Sequence, residues 1–231
     1  MNSKGLFIVV PARGDSKRLP RKNLRALCGR TLLERTADAL QEAGLSASCF
    51  LSTDDEGIAE AGRTLGWRVP FLRPAELAHD DTPTVPVIRH AVDWYQEAEG
   101  NDPDVIMVLQ VTSPFRTGKT IRRGLDLLAE SADTQAVVAM SRIDRAPCHL
   151  FALDSDHRAV AWIKDDSPRP LFTPNGALYI IRTAAFRSAE SLFPPRTAIL
   201  ITDPIEAIDV DDEADWRLAE AVAAWKGTVT Q

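Results

Sequence analysis

The sequence is poor in the residues that staple or metallate a small fold. Its 231 residues include three cysteines, Cys28, Cys49 and Cys148, an odd number, widely spaced and without a CxxC pair. A disulfide framework and a zinc site of ordinary spacing are thereby excluded. Long apolar runs are lacking too. The longest are a few residues, against the ~20 that a membrane-spanning helix needs, and Met1 to Gly5 followed by one strand does not have the layout of a signal peptide. With thiols expected to be inert and mostly buried, a reducing cytoplasm is the expected location. Positive charge is in deficit: 27 Lys and Arg face 33 Asp and Glu, for a formal net charge of −6. A general nucleic-acid binder needs a net basic face to displace counterions from phosphates, so that class is excluded.

What the chain does have is hydrophobic residues at 45% of its length, enough for one sizeable core. Leu6 to Val10 is a continuous apolar run, as expected for a strand buried on both faces of a parallel sheet. "TLLERTADALQEAG" follows, with Thr31 and Glu34 in capping-box spacing, apolar Leu32, Leu33, Ala37 and Leu40, and Gly44 as a stop; it predicts a helix. The alternation continues. "ASCFLST", "DVIMVLQ" and "AVVAMS" read as strands; helices are expected from the Thr53 region to Gly66, from about Pro86 to Ala98, and over "TGKTIRRGLDLLAES". That order predicts an α/β fold with a mostly parallel sheet and helices on both faces.

From Arg142 to Thr173 the pattern breaks into prolines and short alternating apolar pieces, which predicts an antiparallel excursion inserted into a single domain spanning 1–231. "GALYIIR" and "TAILIT" then resume strand character. The last helix is expected to bury Trp216, Ala219, Val222 and Ala223.

Against the acidic background, "VVPARGDSKRLPRKN" (9–23) gathers Arg13, Lys17, Arg18, Arg21 and Lys22 around one acid, Asp15. It lies at the exit of the first strand, where open α/β sheets bind ligands. With Gly14 as its only glycine, it carries neither a GxGxxG nor a GxxxxGK[ST] phosphate loop. Side chains would have to hold any phosphates, and Arg and Lys clamps of this kind suit a triphosphate. A solvated basic loop is the competing reading. Near the other end, "IDVDDEAD" sets Asp209 and Asp211 two apart in an extended segment, on one face, as a hard-oxygen site for Mg²⁺ requires. An acidic helix start without metal fits the same spacing, and Asp212, Glu213 and Asp215 are expected to cap and charge that helix.

The basic loop resembles the nucleotide-binding signature of the acylneuraminate cytidylyltransferase family, the CMP-sialic acid (CMP-nonulosonate) synthetases. "LSTDDEGIAEAGRTLGWRVPFLRPAELAHDDTPT", "LQVTSPFRT", "PNGALYI" and "AIDVDDEAD" resemble further family segments, in the family's order. The resemblance implies a three-layer α/β/α, Rossmann-like nucleotidyltransferase fold. It also implies a Mg²⁺-dependent reaction in which the anomeric hydroxyl of a nine-carbon α-keto sugar acid attacks the α-phosphate of CTP and pyrophosphate leaves. Carried over by position, Arg13, Ser16 and Lys22 would hold the triphosphate, with Lys22, Arg13 and Asp211 central to catalysis. Ala12 and Asn23 would lie near base and ribose, and Arg73 and Thr82 would bound the nucleotide pocket. Gln110, Arg169 and Asn175 would meet the sugar acid, and Asp209 and Asp211 the metal.

For several of these a structural role is open as well. Arg73 could fasten its own loop, Gln110 could be a strand-end amide, Asn175 could belong to an Asn-Gly turn, and Ser113 and Arg116 are expected beside the basic loop. The resemblance further implies that 142–172 is a dimerisation element of a homodimer. The chain departs from the family pattern at Asp15, Arg18, Val111, His149 and Thr173. Which nonulosonic acid is used stays open, as do two alternatives: a CMP-Kdo synthetase, and a non-catalytic nucleotide-binding module on the same fold.

Overall fold

In the computed structural model the described residues are 5–45, 49–143, 151–153, 155–161 and 170–229. The centre is a six-stranded sheet. Its strands, in chain order among the described elements, are β1 (Leu6–Pro11), β4 (Cys49–Ser52), β5 (Val105–Val108), β6 (Ala136–Ile143), β9 (Leu171–Arg182) and β10 (Thr197–Ile201). They lie side by side as β10-β6-β9-β5-β1-β4. β1 pairs parallel with β4 and β5, and β10 pairs parallel with β6. β9 runs antiparallel to both its neighbours.

Burial explains why an unbroken apolar run makes β1. Ile8 and Val10 face one core with Leu51, Met107, Val137 and Leu178; Phe7 and Val9 face the other with Phe50, Ile106, Val108 and Tyr179. Side chains alternate across the sheet, and both sides are covered. On the first face lie α1 (Leu32–Glu42), α2 (Glu56–Thr64), α4 (Gly118–Ala129) and α6 (Glu213–Val229), through Leu33, Ile58, Ile121 and Trp216. On the second lie α3 (Thr84–Glu99) and α5 (Thr183–Ala189), through Ile88 and Phe186. This is the three-layer α/β architecture expected from the alternation of elements.

The predicted caps are present. The Thr31 hydroxyl accepts from the Glu34 N–H, and the Glu34 carboxylate accepts from the Thr31 N–H, while Gly44 takes φ +68 just past the end of α1. α3 begins at Thr84, two residues before the expected start, because Pro86 is accepted inside the first turn, where its missing N–H has no helical partner to lose. Between β1 and α1 a small hairpin, β2 (Ala26–Leu27) with β3 (Arg30–Thr31), turns on Cys28 and Gly29, both at positive φ.

The antiparallel excursion starts on the sheet itself. β6 and β9 remain paired out to Ile143 and Leu171, beyond a register shift between Val138 and Met140. Beyond them β7 (Phe151–Leu153) and β8 (Ala159–Ala161) form a separate antiparallel pair. Arg169, His149 and Cys148 lie outside the described residues.

α6 is anchored by Trp216, a fully buried side chain whose indole N–H donates to Glu220 and whose ring carries the Arg25 guanidinium 4.2 Å from its centroid. Trp216→Ala is expected to lower unfolding stability by about 3–5 kcal/mol, read as a shift in denaturant midpoint at unchanged slope.

Candidate functional site

The cleft forms where β1, β4 and β5 end. β1 lies between β4 and β5, so the chain leaves it to opposite sides and a crevice opens at their carboxyl ends. Its volume is about 270 Å³, and its walls include Ala12, Arg13, Lys22, Asn23, Arg73, Asp80, Thr82, Gln110, Thr112, Asp209 and Asp211.

The basic loop is held in shape by buried polar contacts. The Ala12 N–H donates to the Ser52 carbonyl at 2.9 Å, and the Gly14 N–H donates to the Asp54 carboxylate at 3.0 Å. Asn23, buried, donates from Nδ2 to the Arg13 carbonyl at 2.8 Å, so its amide fixes the loop from within. A Cβ on Gly14 would stand 2.5 Å from that of Asp55, which explains a glycine here without any phosphate cradle. Arg21, at φ +56, turns the chain into a short 3-10 segment, Lys22–Leu24.

Each wall supplies acids to the loop's cations. The Lys22 ammonium donates to the Val210 carbonyl at 3.0 Å and to Asp211 Oδ1 at 2.9 Å. The Arg18 guanidinium takes Asp211 Oδ2 at 3.0 Å. From the opposite wall, Asp80 takes Arg13 at 2.6 Å and Lys17 at 2.5 Å. Arg25 pairs with Glu213 at 2.9 Å and joins the loop to α6.

The two candidate metal carboxylates differ in their surroundings. Burial pushes the Asp211 carboxyl up, but the hydrogen bond and charge of Lys22, with Arg18, outweigh it and the net shift is downward. Asp209 is more deeply buried; that desolvation, with the charge of Asp211 beside it, raises its carboxyl above the ordinary value against a hydrogen bond from Thr112. Its Oδ1 is buried without a hydrogen-bond partner among the described residues. No group of three or more His, Cys, Asp or Glu able to hold a metal occurs among the described residues. Asp212 Oδ1 accepts from the Ala214 and Asp215 N–H groups, and Asp215 Oδ2 from those of Asp211 and Asp212. Reciprocal caps at the start of α6 thus fix the backbone that carries Asp211.

Other expected site residues sit differently. Arg73 reaches the cleft wall while its guanidinium donates to the carbonyls of Ser52 at 3.0 Å and Leu77 at 3.3 Å, fastening its loop. Ser16 is buried and is not among the lining residues. Asn175 does not line the cleft either. Its Nδ2 donates to Ser141 and Thr202, and its Oδ1 accepts from the Ala177 N–H. Ser113 and Arg116, expected beside the basic loop, turn inward instead. Arg116 donates to the carbonyls of Gln110 and Ala177 and to the Thr36 hydroxyl, and burial brings its guanidinium down to about 10. Gln110 faces the cleft and packs on Gly176, where φ is +77 and a Cβ would stand 2.6 Å from Gln110 Oε1.

Sequence reasoning missed Asp80 and Asp54. Both lie in acidic pairs, "HDD" and "TDD", whose only local signals were a loop and a helix start; their loop partners, the Gly14 N–H for Asp54 and the Arg13 and Lys17 cations for Asp80, are about 40 or more positions away in the chain.

Residues 7–182 match the family described as Cytidylyltransferase. A Legionella pneumophila protein named CMP-N,N'-diacetyllegionaminic acid synthase is 32% identical over 224 residues, which cover 93% of this chain and 94% of that protein. A Streptococcus agalactiae serotype V protein named N-acylneuraminate cytidylyltransferase is 30% identical over 216 residues, 90% of this chain and 51% of that longer protein. Among solved structures, CMP:2-keto-3-deoxy-manno-octonic acid synthetase complexed with CTP superposes with a TM-score of 0.66 at 17% identity, covering 96% of this chain and 99% of that one. At that identity it speaks for the fold alone. Family match, end-to-end similarity and a cleft at the strand exits that holds Arg13, Lys22 and Arg73 agree, and this chain belongs to the cytidylyltransferase family.

Proposed function

We propose that this chain transfers CMP from CTP to the anomeric hydroxyl of a nine-carbon α-keto sugar acid of the legionaminic, sialic or pseudaminic type, and releases pyrophosphate. The observation that carries the reading is a cleft in which Arg13 and Lys22 face Asp209 and Asp211 at the exits of β1, β4 and β5. The relative matched over 94% of its own length is named for a CMP-linked nonulosonic acid, which supports this class of acceptor.

In the reaction a sugar oxygen bonds to the α-phosphorus, the bond from that phosphorus to the oxygen bridging it to the β-phosphate breaks, and the hydroxyl proton passes to water. Charge grows on the departing pyrophosphate. Lys22 and Arg13 would meet it, and preorganised cations placed where charge develops act on the transition state more than on the bound substrate. Ser16 is assigned to the same triphosphate. Ala12, Asn23, Arg73 and Thr82 are assigned to the nucleoside, and Gln110, Asn175 and Arg169 to the sugar acid.

Asp209 and Asp211 would hold Mg²⁺. The buried, unpartnered Asp209 Oδ1 fits that assignment, and a hard cation bound by two carboxylates takes its remaining ligands from phosphate and water. Bound there, the ion would neutralise phosphate charge and lower the pKa of the attacking hydroxyl. The Lys22 contacts to Val210 and Asp211 would keep the carboxylates and the phosphate clamp at one spacing. We read 1–231 as one catalytic domain of a homodimer, with 142–172 as its dimerisation element, CTP as its co-substrate and the cytoplasm as its location. The hairpin leaves Phe151 60% and Leu153 68% exposed, apolar surface that a partner would cover.

Pyrophosphate release from CTP and Mg²⁺, measured with a panel of nonulosonic acids and Kdo, tests the reading. Turnover of a nine-carbon acid is expected. A preference for Kdo would replace the acceptor, and CTP binding without any turnover would leave only a nucleotide-binding module. Asp209→Asn keeps the side chain's shape and removes a desolvated charge; its melting temperature in Mg²⁺-free buffer should not fall, while turnover drops by about 100-fold or more. Lys22→Ala should lower kcat by about 100- to 1,000-fold and weaken CTP binding much less. An effect on binding alone would contradict its place in the transition state.

A further inference from the structure

The four cations of the basic loop nearest the cleft are divided between two carboxylates. Asp211 spends one oxygen on Lys22 and the other on Arg18. Asp80 does the same with Arg13 and Lys17, oxygen for oxygen, from the wall that precedes α3. A carboxylate that bridges an arginine and a lysine occupies the position of a phosphate between the same two groups.

The two lysines differ in depth, while the bridging carboxylates are alike, 34% exposed at Asp80 and 44% at Asp211. Lys22 is buried and its side chain is 11% exposed, whereas the Lys17 side chain is 76% exposed. Asp80 sits in the short stretch between a 3-10 turn at Ala75–Leu77 and the start of α3, held by a Thr82 N–H bond to the His79 carbonyl. Lys17, chiefly through its hydrogen bond, keeps the Asp80 carboxyl below its ordinary value, and Asp80 in turn raises Lys17, so both stay charged. Pairs this exposed contribute little to stability and exchange readily.

We propose that Asp80 is a specificity-determining residue of the nucleotide site, a carboxylate stand-in for the outer phosphates that only a di- or triphosphate replaces on Arg13 and Lys17. The inference rests on the reading of the cleft as a CTP site. A nucleoside monophosphate carries no outer phosphate to set between Arg13 and Lys17 and leaves Asp80 in place. CTP and pyrophosphate must displace it, and when pyrophosphate departs Asp80 reclaims both cations, which limits retention of the product.

Calorimetric titration of CTP, pyrophosphate and CMP into wild type, Asp80→Asn and Asp15→Asn, at one ionic strength, tests this. Asp15 is an exposed acid of the same loop whose charge also acts on Lys17, so Asp15→Asn changes net charge equally while both ion pairs of Asp80 stay in place. Asp80→Asn should bind pyrophosphate and CTP about two- to ten-fold tighter with CMP unchanged, and pyrophosphate should inhibit it at correspondingly lower concentration. Unchanged or weaker pyrophosphate binding would overturn the proposal, as would equal tightening of CMP or an equal effect of Asp15→Asn. Wild-type protein that binds no CTP would instead sink the nucleotide reading, a separate outcome from the pyrophosphate comparison.

Discussion

The cleft depends on one ammonium. Lys22, at the end of the first loop, donates to the Val210 carbonyl and the Asp211 carboxylate, 188 and 189 positions away in sequence. That contact joins the exit of β1 to the segment that enters α6. Arg25 repeats the connection three residues on, through Glu213 and the face of Trp216. An ion pair to a half-exposed carboxylate contributes little by itself. Lys22 differs because its ammonium is buried and also satisfies a backbone carbonyl, so removing its partners would strand a desolvated charge. Its position is therefore set by packing as well as charge, and the acids opposite inherit that position.

Buried guanidinium groups set the rest of the frame. Arg116 has lost its hydration and draws down toward 10, yet remains cationic at neutral pH. It gathers the carbonyls of Gln110 and Ala177 and the hydroxyl of Thr36, fixing the end of β5 against β9 and α1. Arg73, similarly desolvated, ties the β4 exit to the loop before α3. Neither relies on an exposed counterion. Because carbonyls rather than mobile carboxylates hold them, the strand ends are rigid where Gln110 and Ala12 face the cleft.

These relations mark where the sequence was legible. The run Leu6–Val10 and the Thr31–Glu34 box report local physics, namely two-faced burial and the unmet N–H groups of a helix start, and both are present in the fold. The basic loop and the Asp209–Asp211 pair were visible because each is a short cluster of one charge. The direction of β9 was not. "GALYIIR" is apolar on both faces whichever way it runs, and only its pairing to β5 and β6 makes it antiparallel. Arg116 misled for a related reason: an arginine after a strand reads as exposed unless its acceptors, carbonyls contributed by distant strands, are known. Asp80 was hidden because one acid in a polar loop gains meaning only from the cations that fold onto it.

Charge balance in the cleft resolves the conflict between a net charge of −6 and a basic loop. Four of the loop's five cations share two carboxylates, Arg13 and Lys17 on Asp80 and Arg18 and Lys22 on Asp211, and Arg25 just beyond the loop takes Glu213. Net charge governs the far field, while short-range pairs govern the site. Asp209 stands outside this matching. Lys22 spends its close contacts on Val210 and Asp211, which leaves a buried carboxylate oxygen of Asp209 with no partner among the described residues. A buried carboxylate is tolerated when it takes up a proton or when a cation compensates it. Desolvation gives Asp209 its upward shift, and the charge of Lys22 acts against it. In the proposed reaction a hard divalent ion would add to the compensating charge that Lys22 supplies.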